Sequence, residues 1–236
     1  MVKIDNTKIA DLGFYINLNK RTDRNKILSD HLKEFNIIGV ERHAANESTD
    51  CGQLNLVKSN YEIYEKFLQT DAETLLILED DCKFLPQFKK ESTTIFKDIH
   101  NTDWDIFWLG CVNRKSPIYY KNNCYKVSSI SYSQSYLIKR DICKHILDNM
   151  NGGCFGKGID ELLCLYVYGQ DVAYDPNKYN FYNLEQPLEV LPTVFTSLCY
   201  KYVLSTQYNS YSDLSWTEKD LEDWLCNHHP EKYNSI

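Results

Sequence analysis

The sequence lacks the features that mark membrane, nucleic-acid-binding and zinc- or disulfide-stabilised proteins. Its longest apolar run falls far short of the roughly 20 residues that a membrane-spanning helix requires, and its polar first residues, 1–11, predict no secretory signal. With 26 Lys and Arg against 33 Asp and Glu, it lacks the positive charge that nucleic-acid binding needs. None of its nine cysteines is spaced C-x-x-C, so we expect no zinc site and no disulfide framework, and reduced thiols fit a cytoplasmic protein.

Short apolar runs alternate with amphipathic segments along the first three-quarters of the chain. Residues 13–18, 74–78 and 104–109 are typical of strands, and residues 86–100 carry apolar side chains at helical spacing. This alternation predicts an α/β fold, with a mostly parallel central sheet flanked by helices. The periodicity fades after residue 175, so we expect a core domain over residues 1–175 and a C-terminal extension, residues 176–236, packed on that core.

An acidic triplet, Glu79-Asp80-Asp81, follows directly on the apolar run 74–78. Ligands of α/β sheets bind beyond the carboxyl ends of the strands, and a divalent cation would relieve the repulsion between adjacent carboxylates. Oxygen ligands favour Mg²⁺ or Mn²⁺. Strand geometry sends alternate side chains to opposite sides, so we expect Glu79 and Asp81 to project one way and Asp80 the other. A solvated acidic turn is the alternative, but the position after a buried strand favours a metal site.

A second signal lies where the first strand gives way to a helix. Residues 17–24 contain Asn17, Arg21 and Arg24, and the free N–H groups at the start of a helix attract anions. Arginine side chains add forked donors that suit a diphosphate. Taken alone, this segment fits a solvated basic surface; beside a metal site it favours a diphosphate ligand.

Five segments, in this order, carry a resemblance to a known family. They are residues 14–24 (FYINLNKRTDR), 41–45 (ERHAA), 76–81 (LILEDD), 104–110 (WDIFWLG) and 135–140 (SYLIKR). Together they resemble glycosyltransferase family 25, which includes bacterial lipooligosaccharide galactosyltransferases and is related to collagen hydroxylysine galactosyltransferases. The resemblance covers about residues 13–175. It implies a GT-A type nucleotide-sugar-binding fold, a UDP-sugar donor, Mn²⁺ or Mg²⁺ as the metal, and inversion at the anomeric carbon.

The resemblance also implies roles for particular residues. Glu79 and Asp81 match the metal ligands, and Asp160 matches a residue on the acceptor side. The positions that match the nucleotide-sugar site are Asn17, Arg21, Arg24, Ala44, Ala45, Asp80 and Tyr136. Asp160 follows a glycine-rich loop, residues 151–158, and is our candidate catalytic base, with Glu161 in reserve. An N-cap of the helix that follows is an equally good interpretation of Asp160.

The expected reaction moves a hexose, galactose or glucose, from a UDP-sugar to a hydroxyl of a glycan or protein acceptor. One departure from the family pattern bears on this expectation. The family usually carries Gly-Cys-x-x-Ser-His where this chain has residues 55–60, so its His is replaced by Asn60. Asparagine keeps a hydrogen bond but carries no proton. This departure favours one alternative, a catalytically inactive glycosyltransferase-like binding protein. Two others are an interaction protein that uses its Tyr-rich tail as a contact surface, and a nucleotidyltransferase with the same sheet and acidic metal site, although the sequence shows no glycine-rich triphosphate loop.

Overall fold

The computed structural model describes residues 8–48, 52–113, 116–127, 130–149, 159–160, 163 and 195–207. Four helices and ten strands lie in this part of the chain. The helices are α1 (Thr22–Glu34), α2 (Gly52–Leu68), α3 (Pro86–His100) and α4 (Arg140–Asn149). The strands are β1 (Leu12–Asn17), β2 (Val40–Ala44), β3 (Thr74–Glu79), β4 (Cys82–Phe84), β5 (Ile106–Asn113), β6 (Ile118–Lys121), β7 (Cys124–Lys126), β8 (Ile130–Lys139), β9 (Ser197–Tyr200) and β10 (Ser205–Gln207).

Eight strands form the central sheet in the order β2-β1-β3-β8-β5-β9-β7-β6. The strand pairings set six of them (β1, β2, β3, β5, β6 and β9) in one direction, while β7 and β8 run the opposite way. Strands β4 and β10 form a separate two-stranded sheet. The prediction of a mixed α/β fold with a mostly parallel central sheet is therefore confirmed.

Strand β3 shows why the sheet is covered by helices on both faces. Leu75 and Ile77 pack in one hydrophobic cluster, Leu76 and Leu78 pack in another, and all four are almost completely buried. Burying one such side chain contributes about 1.5–3 kcal/mol, so both faces need a layer of helices. Helices α2 and α4 supply apolar residues to the first cluster, and α1 and α3 supply the second.

Several strands were not predicted from the sequence. Residues 195–207, which lie within the predicted extension, form β9 and β10, and β9 pairs with β5 and β7 inside the central sheet. The boundary at residue 175 stays a prediction. Within the described residues, no helix is both long and apolar enough to span a membrane.

Candidate functional site

The carboxyl ends of three parallel strands meet at one edge of the central sheet. Ile16 of β1 pairs with Glu79, the last residue of β3. Asn17 pairs with Ala44, and these residues end β1 and β2. The topology therefore brings the N-terminal segment, the end of β2 and the acidic triplet to the edge at which open α/β sheets bind ligands.

Asp80 is held by two strong hydrogen bonds. Asn17 Nδ2 donates to Asp80 Oδ2 at 2.7 Å, and Arg24 Nη1 donates to Asp80 Oδ1 at 2.8 Å. The side chains of Asp80 and Arg24 are each only 9% exposed, so they form a buried ion pair. Asp80 and Asp81 form the turn between β3 and β4. The strand-like alternation predicted for the triplet is therefore wrong beyond Glu79, because the strand ends there.

The side chain of Asn17 links the end of β1 to the start of α1, to β2 and to the acidic triplet. Besides its bond to Asp80, its Nδ2 donates to the carbonyl oxygen of Arg21 at 3.0 Å. Its Oδ1 accepts from Arg42 Nε at 2.9 Å, and Arg42 Nη2 also donates to Asn19 Oδ1 at 2.8 Å. Asn17 is 2% exposed, which makes it a buried connector. Arg42 was not predicted as a site residue; its position two residues before Ala44 in a polar strand was the available signal.

The two predicted arginines have different surroundings. Arg24 faces the acids, since its Nη1 lies 2.8 Å from Asp80 and 3.6 Å from Asp81. Arg21 precedes α1 and pairs with Asp23 at 2.9 Å, and its hydrogen bond lowers the pKa of Asp23 to about 2. The structure gives Arg24 an internal partner that the sequence did not predict. A contact of either arginine with a diphosphate stays a prediction.

The charges of Asp81 and Glu79 are less well offset by neighbouring groups than the charge of Asp80 is. Asp81 Oδ1 is buried and has no hydrogen-bond partner among the described residues. Burial raises the pKa of Asp81 above its usual range, against the opposing effect of Arg24. Burial, followed by the charges of Asp81 and Asp80, raises the pKa of Glu79 well above its usual range. A nearby positive charge would favour ionisation of both groups.

Glu79 and Asp81 fit the metal that the family resemblance implies. Mg²⁺ and similar hard cations use one or two protein carboxylates together with waters and the phosphates of a substrate. The buried, unpartnered oxygen of Asp81 is a suitable ligand atom. In the described part of the chain, no three or more His, Cys, Asp or Glu side chains form a ready-made metal cage. A metal held by these two carboxylates would therefore take its other ligands from water and phosphate.

Ala44 and Ala45 lie at the same edge of the sheet, at the end of β2 and directly after it. Ala44 is exposed, and Ala45 is partly buried against the core. The backbone N–H of Ala45 donates to the carbonyl oxygen of Asn17 at 3.0 Å. The position of these two residues near the nucleotide stays a prediction.

Tyr136 lies beneath the edge, within the core. It is 1% exposed, and its hydroxyl donates to Asn60 Oδ1 at 2.6 Å and lies 2.7 Å from the Tyr64 hydroxyl. Asn60 Nδ2 in turn donates to the carbonyl oxygen of Leu56 at 2.8 Å. These groups form a buried chain of hydrogen bonds between α2 and β8. Tyr136 therefore supports the sheet under the acids, and its predicted proximity to a sugar stays a prediction.

Asp160 lies within electrostatic reach of the acidic edge. Its charge contributes to the raised pKa of Glu79, although the two residues are 81 positions apart in the sequence (160 minus 79). Asp160 is partly buried and belongs to a helical segment with Ile159. Glu161 and the glycine-rich loop 151–158 lie outside the described residues. The structure thus brings the candidate base near the candidate metal ligands, and its role stays a prediction.

The sequence of this chain matches the model of a known protein family. A sequence model described as Glycosyltransferase family 25 (LPS biosynthesis protein) matches residues 51–158, which include the acidic triplet and Tyr136. The chain is thus an α/β protein with a match to a glycosyltransferase family. The resemblance to glycosyltransferase family 25 that the sequence motifs predicted is confirmed.

Two curated proteins illustrate the relatives to which the chain is similar. The chain is 23% identical to procollagen galactosyltransferase 2 of Mus musculus over 74% of this chain and 30% of the relative. It is 25% identical to a glycosyltransferase 25 family member of Aedes aegypti over 42% of this chain and 17% of the relative. The chain thus spans less than a third of the length of these relatives.

Among solved structures, the chain resembles a glycosyltransferase involved in the glycosylation of the major capsid of PBCV-1. The TM-score is 0.44, with 16% sequence identity over 70% of this chain and 81% of that one. A likeness of this degree assigns no activity to the chain.

Proposed function

We propose that the chain is an inverting, metal-dependent glycosyltransferase that moves a hexose, galactose or glucose, from a UDP-sugar to a hydroxyl of a glycan or protein acceptor. One observation carries the proposal. At the sheet edge, Asp80 is neutralised by Arg24, whereas Glu79 and Asp81 are left with raised pKa values and one buried oxygen without a partner. The family match and the named galactosyltransferase relative support the choice of reaction.

The donor would bind across the edge at which β1, β2 and β3 end. When held by Glu79 and Asp81, Mn²⁺ or Mg²⁺ supplies a Lewis acid that offsets negative charge on the leaving diphosphate. Arg21 stands at the first turn of α1, where free backbone N–H groups also favour anions. Ala44 and Ala45 leave room for the nucleotide. Asp80 holds Asn17 and Arg24 in place, so that this part of the site is fixed before a ligand arrives.

Transfer with inversion is a single displacement at the anomeric carbon. The acceptor oxygen forms the new bond as the bond to the UDP oxygen breaks, and the acceptor proton passes to a carboxylate. Asp160 is the candidate for that carboxylate because its charge reaches the acidic edge. A positioned base contributes about 10²–10⁴-fold to a rate.

The variant Asp160→Asn tests this role against the alternative of a helix cap. Asparagine caps a helix as well as aspartate does, so the folded state should keep its stability. We expect the transfer rate to fall by about 10²–10⁴-fold while the Kd for the UDP-sugar is unchanged. Near-normal turnover in this variant would remove Asp160 from the mechanism.

A thermal-shift panel of UDP-sugars, GDP-sugars and UTP, with and without Mn²⁺, tests the proposed function as a whole. A ligand at 100 times its Kd stabilises the native state by about 2.7 kcal/mol, so we expect a clear rise in Tm with a UDP-sugar and Mn²⁺ together. The Glu79→Gln variant should lose the Mn²⁺-dependent part of that rise. A wild-type protein that responds to no UDP-sugar, or to UTP alone, would contradict the proposal. Donor hydrolysis with Mn²⁺ then separates an active enzyme from a binding protein.

A further inference from the structure

Gln134 is a buried amide beside the acidic edge that the functions assigned above do not use. It lies in β8 and is 5% exposed. The antiparallel register between β3 and β8 pairs Leu78 with Ser135, and one further step of that register sets Gln134 beside Glu79. The register therefore places the backbone of Gln134 beside the end of β3, where the candidate metal ligand Glu79 lies.

The orientation of the Gln134 amide is fixed by its partner. Gln134 Nε2 donates to the carbonyl oxygen of Ser205 at 3.5 Å, and a carbonyl oxygen can only accept. The nitrogen must therefore face Ser205, and the oxygen must be the other end of the amide. Gly110 makes this arrangement possible, because a Cβ at position 110 would overlap both Ser205 and Gln134 Nε2.

Gln134 Oε1 is consequently an acceptor without a donor. It is buried and has no hydrogen-bond partner among the described residues. The neighbouring Ser135 and Ser205 hydroxyls are hydrogen-bonded to each other. Buried polar groups of native proteins are normally satisfied, so an exception next to a candidate site suggests a ligand group.

We propose that Gln134 contacts the bound donor, with its Oε1 accepting a hydrogen bond from a hydroxyl group of the sugar nucleotide; this inference rests on the function proposed above. An amide oxygen needs a donor, so the phosphates of the ligand, which only accept, are excluded as its partner. Hydroxyls are the donor groups shared by the ribose and the transferred sugar. Gln134 would then contribute to selecting the donor through one of these hydroxyls.

The test compares wild-type protein, Gln134→Met and the matched control Ser135→Ala by calorimetric titration with Mn²⁺, UDP, 2′,3′-dideoxy-UDP, UDP-galactose and UDP-glucose. Methionine keeps the length of the side chain and removes both the acceptor Oε1 and the Nε2 donor to Ser205. Ser135→Ala alters the same buried polar group without touching Oε1. We expect Gln134→Met to raise the Kd for at least one UDP-sugar about five- to tenfold, the loss typical of one hydrogen bond, and Ser135→Ala to leave that Kd unchanged.

The arms of the experiment separate the two sources of the hydroxyl. A weaker UDP-sugar complex with an unchanged Kd for UDP assigns the hydroxyl to the transferred sugar, and equal weakening of UDP, with a preference for UDP over 2′,3′-dideoxy-UDP retained in the wild type only, assigns it to the ribose. Both results support the proposal. An unchanged Kd for every nucleotide in Gln134→Met, or weaker binding of Mn²⁺ alone, would overturn it. Wild-type protein that binds no UDP-sugar would instead show that the proposed function has failed.

Stability provides an independent readout. Gln134→Met removes an unsatisfied buried acceptor and also the Nε2 donor to the Ser205 carbonyl, so the two effects oppose each other and the Tm of the ligand-free variant should stay close to that of the wild type. A glutamine with a structural role alone would lower the Tm on substitution and leave nucleotide binding unchanged. A variant that fails to fold, or that melts well below the wild type with unchanged nucleotide binding, would therefore refute the assignment.

Discussion

Removing the charge of Asp80 and removing the charge of Glu79 should change the stability of the folded protein in opposite directions. Asp80→Asn removes the charge that faces Arg24 at 2.8 Å, in a pair whose side chains are both 9% exposed. Removing one partner of a buried ion pair costs about 3–5 kcal/mol, because the other charge stays buried. Asp81 still lies 3.6 Å from Arg24, so we expect the lower end of that range, about 3 kcal/mol.

Glu79→Gln is the matched comparison. Burial and the charges of its neighbours raise the pKa of Glu79, so its ionised form destabilises the folded state at neutral pH. Glutamine has the same size without the charge. We therefore expect this variant to be as stable as the wild type or more stable, while metal binding and transfer are lost.

Thermal and urea unfolding followed by circular dichroism measure both changes in metal-free buffer. For a chain of this size, 1 kcal/mol shifts Tm by about 2–4 °C, so Asp80→Asn should lower Tm by roughly 6–12 °C. The result that would refute the reasoning is an Asp80→Asn protein as stable as Glu79→Gln. The buried pair with Arg24 would then contribute nothing, and the division of roles within the triplet would fail.

Three further predictions concern the scaffold. Gly110→Ala should cost about 1–3 kcal/mol in urea unfolding, since the added methyl overlaps Ser205; a neutral effect would contradict the close packing. Burial lowers the pKa of His31, whose Nε2 accepts a hydrogen bond from the Phe84 N–H at 2.7 Å. The unfolded chain therefore binds more protons at this histidine than the folded protein does, and the free energy of unfolding should fall as the pH drops from 6.5. That fall should be smaller in His31→Gln, and equal pH profiles would exclude His31 as its source. Tyr64→Phe should cost about 1 kcal/mol through the lost hydroxyl, which a double-mutant cycle with Tyr136→Phe would measure.

Local pattern was enough to predict the elements that position the site. Helix α3 was predicted at residues 86–100 and occupies Pro86–His100, because its apolar side chains repeat at helical spacing and Pro86 suits a first turn. The continuous apolar run 74–78 predicted strand β3, because a strand that is buried on both faces is apolar throughout. The acids after it were therefore correctly placed at a strand end.

The rest of the arrangement depends on contacts that no local pattern encodes. Strand β9, at Ser197–Tyr200, inserts between β5 and β7, although it comes more than 80 residues after β5 along the chain (197 minus 113). A strand of four residues gives a weak periodic signal. The pairing of Arg24 with Asp80 and the isolation of the Gln134 oxygen are likewise properties of the assembled sheet.

The departure at Asn60 illustrates why a motif must be interpreted through burial. From the sequence alone, asparagine in the place of a family histidine suggests a lost proton-transfer group. Asn60 is 1% exposed, accepts from the Tyr136 hydroxyl and donates to the Leu56 carbonyl. Its two hydrogen bonds within the core need an acceptor and a donor, which asparagine supplies without a titratable proton. The substitution therefore alters the support of the sheet beneath Glu79, and it gives no ground for assigning an inactive protein.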